Sequence, residues 1–378
     1  MKILIIRFVV MSLLAISTCS QANDEKWNDW EQFKTVYIST EGRVIDGSNP
    51  QLITTSEGQA YGMLFALMSN DKNTFRLLLN WTEANLANND LTINLPAWLW
   101  GFDKEKQIYS VLDTNSASDA DLWIAYALTE AGRIWNEYHY KSLGYLLAQN
   151  ILKKEAVQIP NYGWMILPGS RGFQSTTNSW RLNPSYLPLQ ILRRFEILYP
   201  HSQWHEIKQN TVNFLKQSEP TGFAPEWSIV NDNNQVFNDD VNNTKIGGYN
   251  AIRVYLWLGM LSNDDPDKQS LMAHYSPMLK VIQQDAFVAE QYDTALKVQS
   301  GYHPIGFHAA VLPFLVSAND VLTTTNFLNK VTTTEPSTKP DYYYDSVLKL
   351  FGKGWLEHKY EFNQDGLLMI NPPINNKP

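Results

Sequence analysis

Cysteine is almost missing. Cys19 is the only one in 378 residues, so no disulfide can form within the chain. Charge is sparse as well: Asp, Glu, Lys and Arg make up 18% of residues, and the formal net charge is −8. Proteins that grip nucleic acid do so mainly with clustered Lys and Arg that neutralise phosphates, and this balance excludes that class. After the first residues, no apolar run approaches the roughly 18–20 residues that a membrane span requires. Strand-type alternation is scarce, no low-complexity linker cuts the chain and no residue-level repeat shows. Metal-site spacing is absent too. Asp113 and Asp119 belong to no loop with the ligand pattern and glycine of an EF-hand, and His303 and His308 stand five apart, unlike the paired helical zinc motif. We expect no metal and no other cofactor, and read the two histidines as packing or rim residues.

Present instead is enough apolar content, 44%, to bury a sizeable core, and a large aromatic complement of 13 Trp and 19 Tyr. Such rings serve as core filler and as platforms for a neutral ligand that is apolar on its faces and hydroxylated at its edges. The chain opens "MKILIIRFVVMSLLAISTCSQANDEK", with Lys2 and Arg7 ahead of an apolar run and the small residues Ser20 and Ala22 before an acidic stretch. That layout is a secretory signal cleaved after Ala22, which places the mature chain in the periplasm or outside the cell and makes it more negative by two charges. A lipoprotein signal at Cys19 is the alternative, with Thr18 before it bulkier than that processing prefers. Residues 23–378 then form a single domain, which we expect to be a monomer.

Helical periodicity dominates, over roughly 25–38, 57–70, 72–87, 118–136, 139–155, 184–198, 203–217, 247–262, 267–283, 305–316, 317–330 and 340–352. Twelve such segments imply one all-α domain. Periodicity alone leaves open whether the pairs close into a double ring of six inner and six outer helices or stack openly. The segments 88–117, 156–183 and 218–246 are long loops rich in Gly, Pro, Asn and Trp, and long ordered loops are more often functional than decorative.

Four stretches carry candidate chemistry. In "TTSEGQAYGMLFAL", Ser56 and Gln59 have capping-box spacing, which puts Glu57 in the first turn of a helix, where a carboxylate also complements the helix dipole. Gly58, Ala60 and Gly62 allow close approach there, and Tyr61 can wall a site. In "DTNSASDADLW", Ser118 and Asp121 again have capping-box spacing, which gives Asp121 a structural role and leaves Asp119 without one. In "WRLNPSYLPLQILRRF", Asn183 caps a helix opened by Pro184, Arg181 and Tyr186 can face a cleft, and Arg193 and Arg194 read as a solvated face. In "IGGYNAIRVYLW", Asn250 and Arg253 stand one turn apart at a helix mouth with no acid in the stretch.

"SASDADLWIAYALTEAGRIW" resembles the signature of family 8 glycoside hydrolases. "GRVIDGSNPQLITTSEGQAYGMLFALMSND", "NLPAWLWGF", "SWRLNPSYLP" and "GGYNAIRVYLWLGM" resemble blocks of its bacterial cellulose-synthesis branch, periplasmic endoglucanases encoded beside cellulose synthase, in the family's order from about residue 27 to 355. The resemblance implies an (α/α)6 barrel whose long loops form a cleft for a β-1,4-glucan strand, and hydrolysis with inversion. Inversion needs an acid that protonates the leaving oxygen and, roughly 6.5–9.5 Å away, a base that takes a proton from water. By resemblance Glu57 matches the general acid, Asp119 the acid that grips and distorts the sugar, Tyr186 the tyrosine that helps hold the water and Arg253 the arginine beside the base. Trp98, Trp180 and Tyr249 match aromatic positions that stack on glucose rings.

At the position of the base this chain departs from the pattern. The main branch has Tyr-Asp-Ala-x-Arg, whereas here the residues are Tyr249, Asn250, Ala251, Ile252 and Arg253. An amide can hold a water but cannot take its proton at ordinary pH. Either a loop carboxylate among Glu226, Asp232, Asp239 and Asp240 supplies the base, or the chain is a catalytically impaired protein that binds glucan or guides it through the export machinery. The expected partner is the glucan chain, with the cellulose synthase complex as a further one.

Overall fold

The structure, a computed structural model, describes residues 26–175, 178–218, 220–238, 246–334 and 342–371. The expected signal peptide, Cys19 and the loop acids Asp239 and Asp240 lie outside the described residues. Helices form where apolar periodicity predicts them: α1 Asn28–Tyr37, α2 Ser56–Met68, α3 Lys72–Leu86, α4 Ser118–Ile134, α5 Tyr138–Lys154, α6 Leu189–Leu198 and α7 Trp204–Gln217. They continue with α8 Ile252–Gly259, α9 Lys268–His274, α10 Ser276–Asp285, α11 Ile305–Ala310, α12 Leu312–Ser317, α13 Val321–Thr333 and α14 Tyr343–Leu356. Among the described residues none is long and apolar enough to cross a membrane.

Burial sorts the helices into two kinds. Every residue of α2 except Glu57 is buried, as are all of α8 and α4 from Ser118 to Gly132. By contrast α5 buries only the stripe Leu143, Gly144, Leu147, Ala148 and Ile151, the spacing of a helix with one face in water. The chain alternates inner and outer: α2 packs on α3, α4 on α5, α6 on α7, α8 on α9, and the broken helix α11–α12 on α13. Inner helices also pack on one another in sequence, α2 to α4 to α6 to α8 to α12, and α11 to α14. The ring closes where Phe351 of α14 meets Phe65 and Tyr61 of α2, with centroids 4.7 and 5.0 Å apart, while α1 covers α14 from outside. With the broken helices counted once, this is the closed (α/α)6 arrangement, and the open stack is excluded.

Aromatic rings fill the middle of the barrel. Trp123, Trp257, Phe351 and Tyr61 contact one another edge-on or tilted, at 5.0 to 6.4 Å. Each such side chain removes a large apolar area from water, so the plug drives closure of the ring. Inner and outer helices approach closely where glycine permits: a Cβ on Gly132 would lie 2.6 Å from the Lys141 nitrogen, and one on Gly144 would lie 2.8 Å from that of Thr129.

Several local expectations need correction. Thr55, not Ser56, caps α2, accepting from Gly58 N at 3.0 Å. Gln59 turns inward, accepting from Val44 N and donating to Gly42 O and Thr82 Oγ1. α4 starts after Ala117 with no side-chain cap, so Ser118 and Asp121 form no capping box. Asn183 does cap, accepting from Ser185 N, but only a 3₁₀ turn, Pro184–Tyr186; Pro188 delays α6, because the residue before a proline disfavours helical geometry. Arg193 and Arg194 are no solvated face: they are 7% and 8% exposed, paired with Asp265 and Asp267 and with Glu130. His303 stacks on Phe287 and His308 is buried with Nδ1 at Pro304 O, both packing roles. Short antiparallel strand pairs, unseen in the periodicity, occupy the long loops: Leu99–Asp103 forms a hairpin with Ile108–Asp113, and Ser179–Leu182 of one loop pairs with Ser228–Asn231 of another.

Phe351 is fully buried at the closing seam. We expect Phe351→Ala to cost about 3–5 kcal/mol of unfolding free energy in urea. A loss below about 1 kcal/mol would show that the ring is held closed elsewhere.

Candidate active site

All inner helices run the same way, so their N-termini gather at one end of the barrel, and the candidate residues sit there. Strand Thr54–Thr55 pairs with Leu99 and Trp100, and Ser56 N donates to Trp98 O at 3.0 Å, which fixes the start of α2 and with it Glu57. Asp119 lies in the first turn of α4, Tyr186 closes the 3₁₀ turn before α6, and Asn250 and Arg253 lead into α8.

Arg253 joins these elements. Its Nη1 donates to Glu57 Oε2 and to Tyr61 Oη (3.1 Å) and stands 3.5 Å from Asp119 Oδ2. Its Nη2 donates to Ser185 Oγ (3.1 Å) and Asn250 Oδ1 (3.0 Å), and the Tyr186 ring lies 5.6 Å from the guanidinium carbon. Glu57 and Asn250 therefore stand a guanidinium width apart, on its two terminal nitrogens. Ser185 is held in turn by Trp257 Nε1, which donates to its carbonyl.

The electrostatics follow from burial. Asp119 is 2% exposed, and its Oδ1 accepts from Ala120 N while its Oδ2 lacks a hydrogen-bond partner. Burial, then the neighbouring charge of Glu57, push its carboxyl well above the usual range, against the pull of Arg253. The phenols of Tyr61, Tyr186 and Tyr344 are likewise raised by burial, so they stay neutral and able to donate. Arg253 is pushed down by burial but held protonated by the acids around it.

Asn250 is held at both ends of its amide. Beyond its bond from Arg253, its Nδ2 donates to Glu226 Oε2 at 2.6 Å, and Glu226 Oε1 accepts from the backbone nitrogens of Asn250 and Ala251, each at 2.9 Å. Glu226 thus caps α8 from 24 residues upstream and puts a carboxylate against the amide. Of the four loop acids named from the sequence, only Glu226 reaches the site among the described residues. Asp232 bonds Asn178 and Asn161 away from it.

The aromatic rim is partly as expected. Trp98 is half-buried, and its side chain bonds Asp113. Tyr249 is 42% exposed, and its hydroxyl meets Tyr302 Oη at 3.0 Å and Glu290 Oε2 at 3.3 Å. Trp180 must be corrected: at 3% exposure its ring belongs to the core and offers no face to a ligand. It alternates with Arg181, whose guanidinium lies 3.9 Å over Trp227; that half-buried ring stacks on Phe173 and neighbours Tyr186. Trp227 and Tyr344, whose hydroxyl donates to Tyr249 O, are site residues that the sequence reading missed. On the other rim, Trp100 stacks on Tyr109 at 5.1 Å with Arg43 above. No group of His, Cys, Asp and Glu among the described residues is arranged to hold a metal ion. The arrangement, an acid and a carboxylate–amide pair on either side of one cation in an aromatic furrow, suits proton transfer to and from a neutral hydroxylated ligand.

Known proteins match this chain over most of its length. The family model described as Glycosyl hydrolases family 8 matches residues 1–358. An endoglucanase of Salmonella typhi is 42% identical over 343 residues, 91% of this chain and 90% of its own. An endoglucanase of Escherichia coli K12 is 40% identical over 365 residues, 97% of this chain and 96% of its own. The crystal structure of an endo-1,4-D-glucanase from Vibrio fischeri ES114 superposes with a TM-score of 0.87 at 45% identity, covering 91% of this chain and 99% of that one.

Because Glu226 caps α8, Glu226→Ala should cost about 1–2 kcal/mol in urea unfolding, and Glu226→Gln, which keeps an acceptor, less than half of that. Equal losses would mean that the cap is not what holds the α8 mouth.

Proposed function

Since the chain belongs to glycosyl hydrolase family 8, we propose that it is an endo-β-1,4-glucanase that cleaves cellulose-type glucan with inversion, Glu57 acting as acid and Glu226, hydrogen-bonded to Asn250, as base. The observation that carries the reading is the Arg253 guanidinium, which spans Glu57 on one nitrogen and Asn250 on the other, with Glu226 directly behind Asn250. The endoglucanases named above supply the substrate class.

In this mechanism a glucan strand lies along Trp98, Trp227 and Tyr249, and Asp119, kept neutral by burial, grips the sugar at the point of cleavage. Glu57 gives its proton to the bridging oxygen as the bond to the anomeric carbon breaks. On the opposite face a water held by Asn250 and the Tyr186 hydroxyl adds its oxygen to that carbon and gives its proton to Glu226. Exchange with solvent then restores both groups.

The finer parts of the reading rest on the sequence. Lys2, Arg7 and the run to Ala22 support export, a single-domain monomeric enzyme in the periplasm or outside the cell, and the motif blocks support work beside cellulose synthase. One observation favours a second reading: an amide stands where the family pattern has its base. On that reading the chain binds or guides glucan without cutting it.

Reducing-end release from carboxymethylcellulose tests the assignment. Glu57→Gln and Glu226→Gln should each lower kcat by about 10²–10⁴-fold, with calorimetric binding of cellopentaose nearly unchanged. Asn250→Asp puts a second carboxylate against Glu226, and we expect it to gain less than about tenfold. A gain of about a hundredfold would remove Glu226 from the base role and favour the guiding protein, and full activity in Glu226→Gln would assign the base to another group.

A further inference from the structure

Behind Asp119, α4 carries a second acid that the hydrolysis above does not use. Asp121 is fully buried, and so is Glu155 at the end of α5, whose carboxyl faces it. Ser116 Oγ donates to Glu155 Oε1 at 2.6 Å and is itself held by Ser170 N at 3.0 Å. Both oxygens of Asp121 and the other oxygen of Glu155 find no donor among the surrounding groups. The charged groups facing the pair are few: Lys154, whose ammonium is turned to the carbonyl of Ile93, and Asp119, beyond which lie Glu57 and Arg253. Two facing carboxylates without a cation cannot both stay ionised in a dry interior.

We propose that Asp121 and Glu155 share one proton and act as positioning residues for Asp119: the single negative charge they retain keeps Asp119 in its neutral form, which can donate a hydrogen bond. Burial raises Asp121 well above the ordinary carboxylate range, with the charge of Glu155 adding to it, and burial lifts Glu155 to about 7. The role in hydrolysis rests on the glucanase reading; the shared proton does not. Seen this way, one oxygen of Asp121 and Oε2 of Glu155 are the two ends of one hydrogen bond whose donor is the retained proton.

The variants D121N and D121N/E155Q test both parts. In D121N the amide can donate to Glu155, which keeps one negative charge, so the basic limb of kcat against pH should stay in place. In D121N/E155Q the charge is gone, Asp119 ionises more readily, and the basic limb should move down by roughly one pH unit with little change in KM. Two readouts need no turnover. The infrared band of protonated carboxyl at pH 7 should weaken in the double variant. Stability gives the other: a folded state that keeps protons the unfolded chain releases loses stability as pH rises above the ordinary carboxylate range, through about 7 and beyond, because Asp121 too is raised well above that range. The thermal midpoint of the wild type should therefore fall relative to that of D121N/E155Q across this window. An unchanged band together with parallel midpoints would overturn the shared proton. A basic limb that stays fixed in the double variant, or moves equally in D121N, would overturn the positioning role. An inactive wild type with the infrared and stability results as expected would count against the glucanase reading alone.

Discussion

One buried cation organises this site. Arg253 comes from α8, yet its terminal nitrogens reach Glu57 on α2, Asp119 on α4 and Ser185 on the turn before α6. Four helix openings are thereby tied to one planar group with fixed donor directions. A buried ion pair is weak evidence for stability, since desolvation offsets much of the attraction. Here its value is geometric: if Glu57 moves, a guanidinium N–H loses its carboxylate partner in a largely enclosed place.

The barrel makes that convergence possible. Inner helices running in one direction present free backbone N–H groups at a common end, a region that favours negative charge. Burial disfavours the same charge. The balance differs by residue: Glu57 is the one position of its helix that is not buried, whereas Asp119 is almost fully enclosed and burial pushes its carboxyl well above the usual range.

Much of this was legible in the sequence. The helical segments were, because an inner helix needs apolar residues all round and an outer one needs a stripe, and both leave strong periodicity. Glu57, Asp119, Tyr186, Asn250 and Arg253 were named from motifs, and the structure brings them together. What escaped depended on distant contacts. Glu226 could be picked out as one of four loop acids, but its bond to Asn250 crosses 24 residues of loop. Arg193 and Arg194 looked solvated because their acidic partners lie on other helices. Trp180 turned into the core where Arg181 faces Trp227, because a one-residue step along a strand reverses the face a side chain presents, and no helical pattern reports that. The capping box at α2 failed for a related reason: Gln59 found buried partners at Val44, Gly42 and Thr82 instead of the helix end.

The strand before α2 is short, but it is hydrogen-bonded to the hairpin that carries Trp100 and Tyr109. The position of Glu57 is thereby set in part by a hairpin that follows it in the sequence, so a substitution at Trp100 or Tyr109 that shifts the hairpin also shifts the first turn of α2.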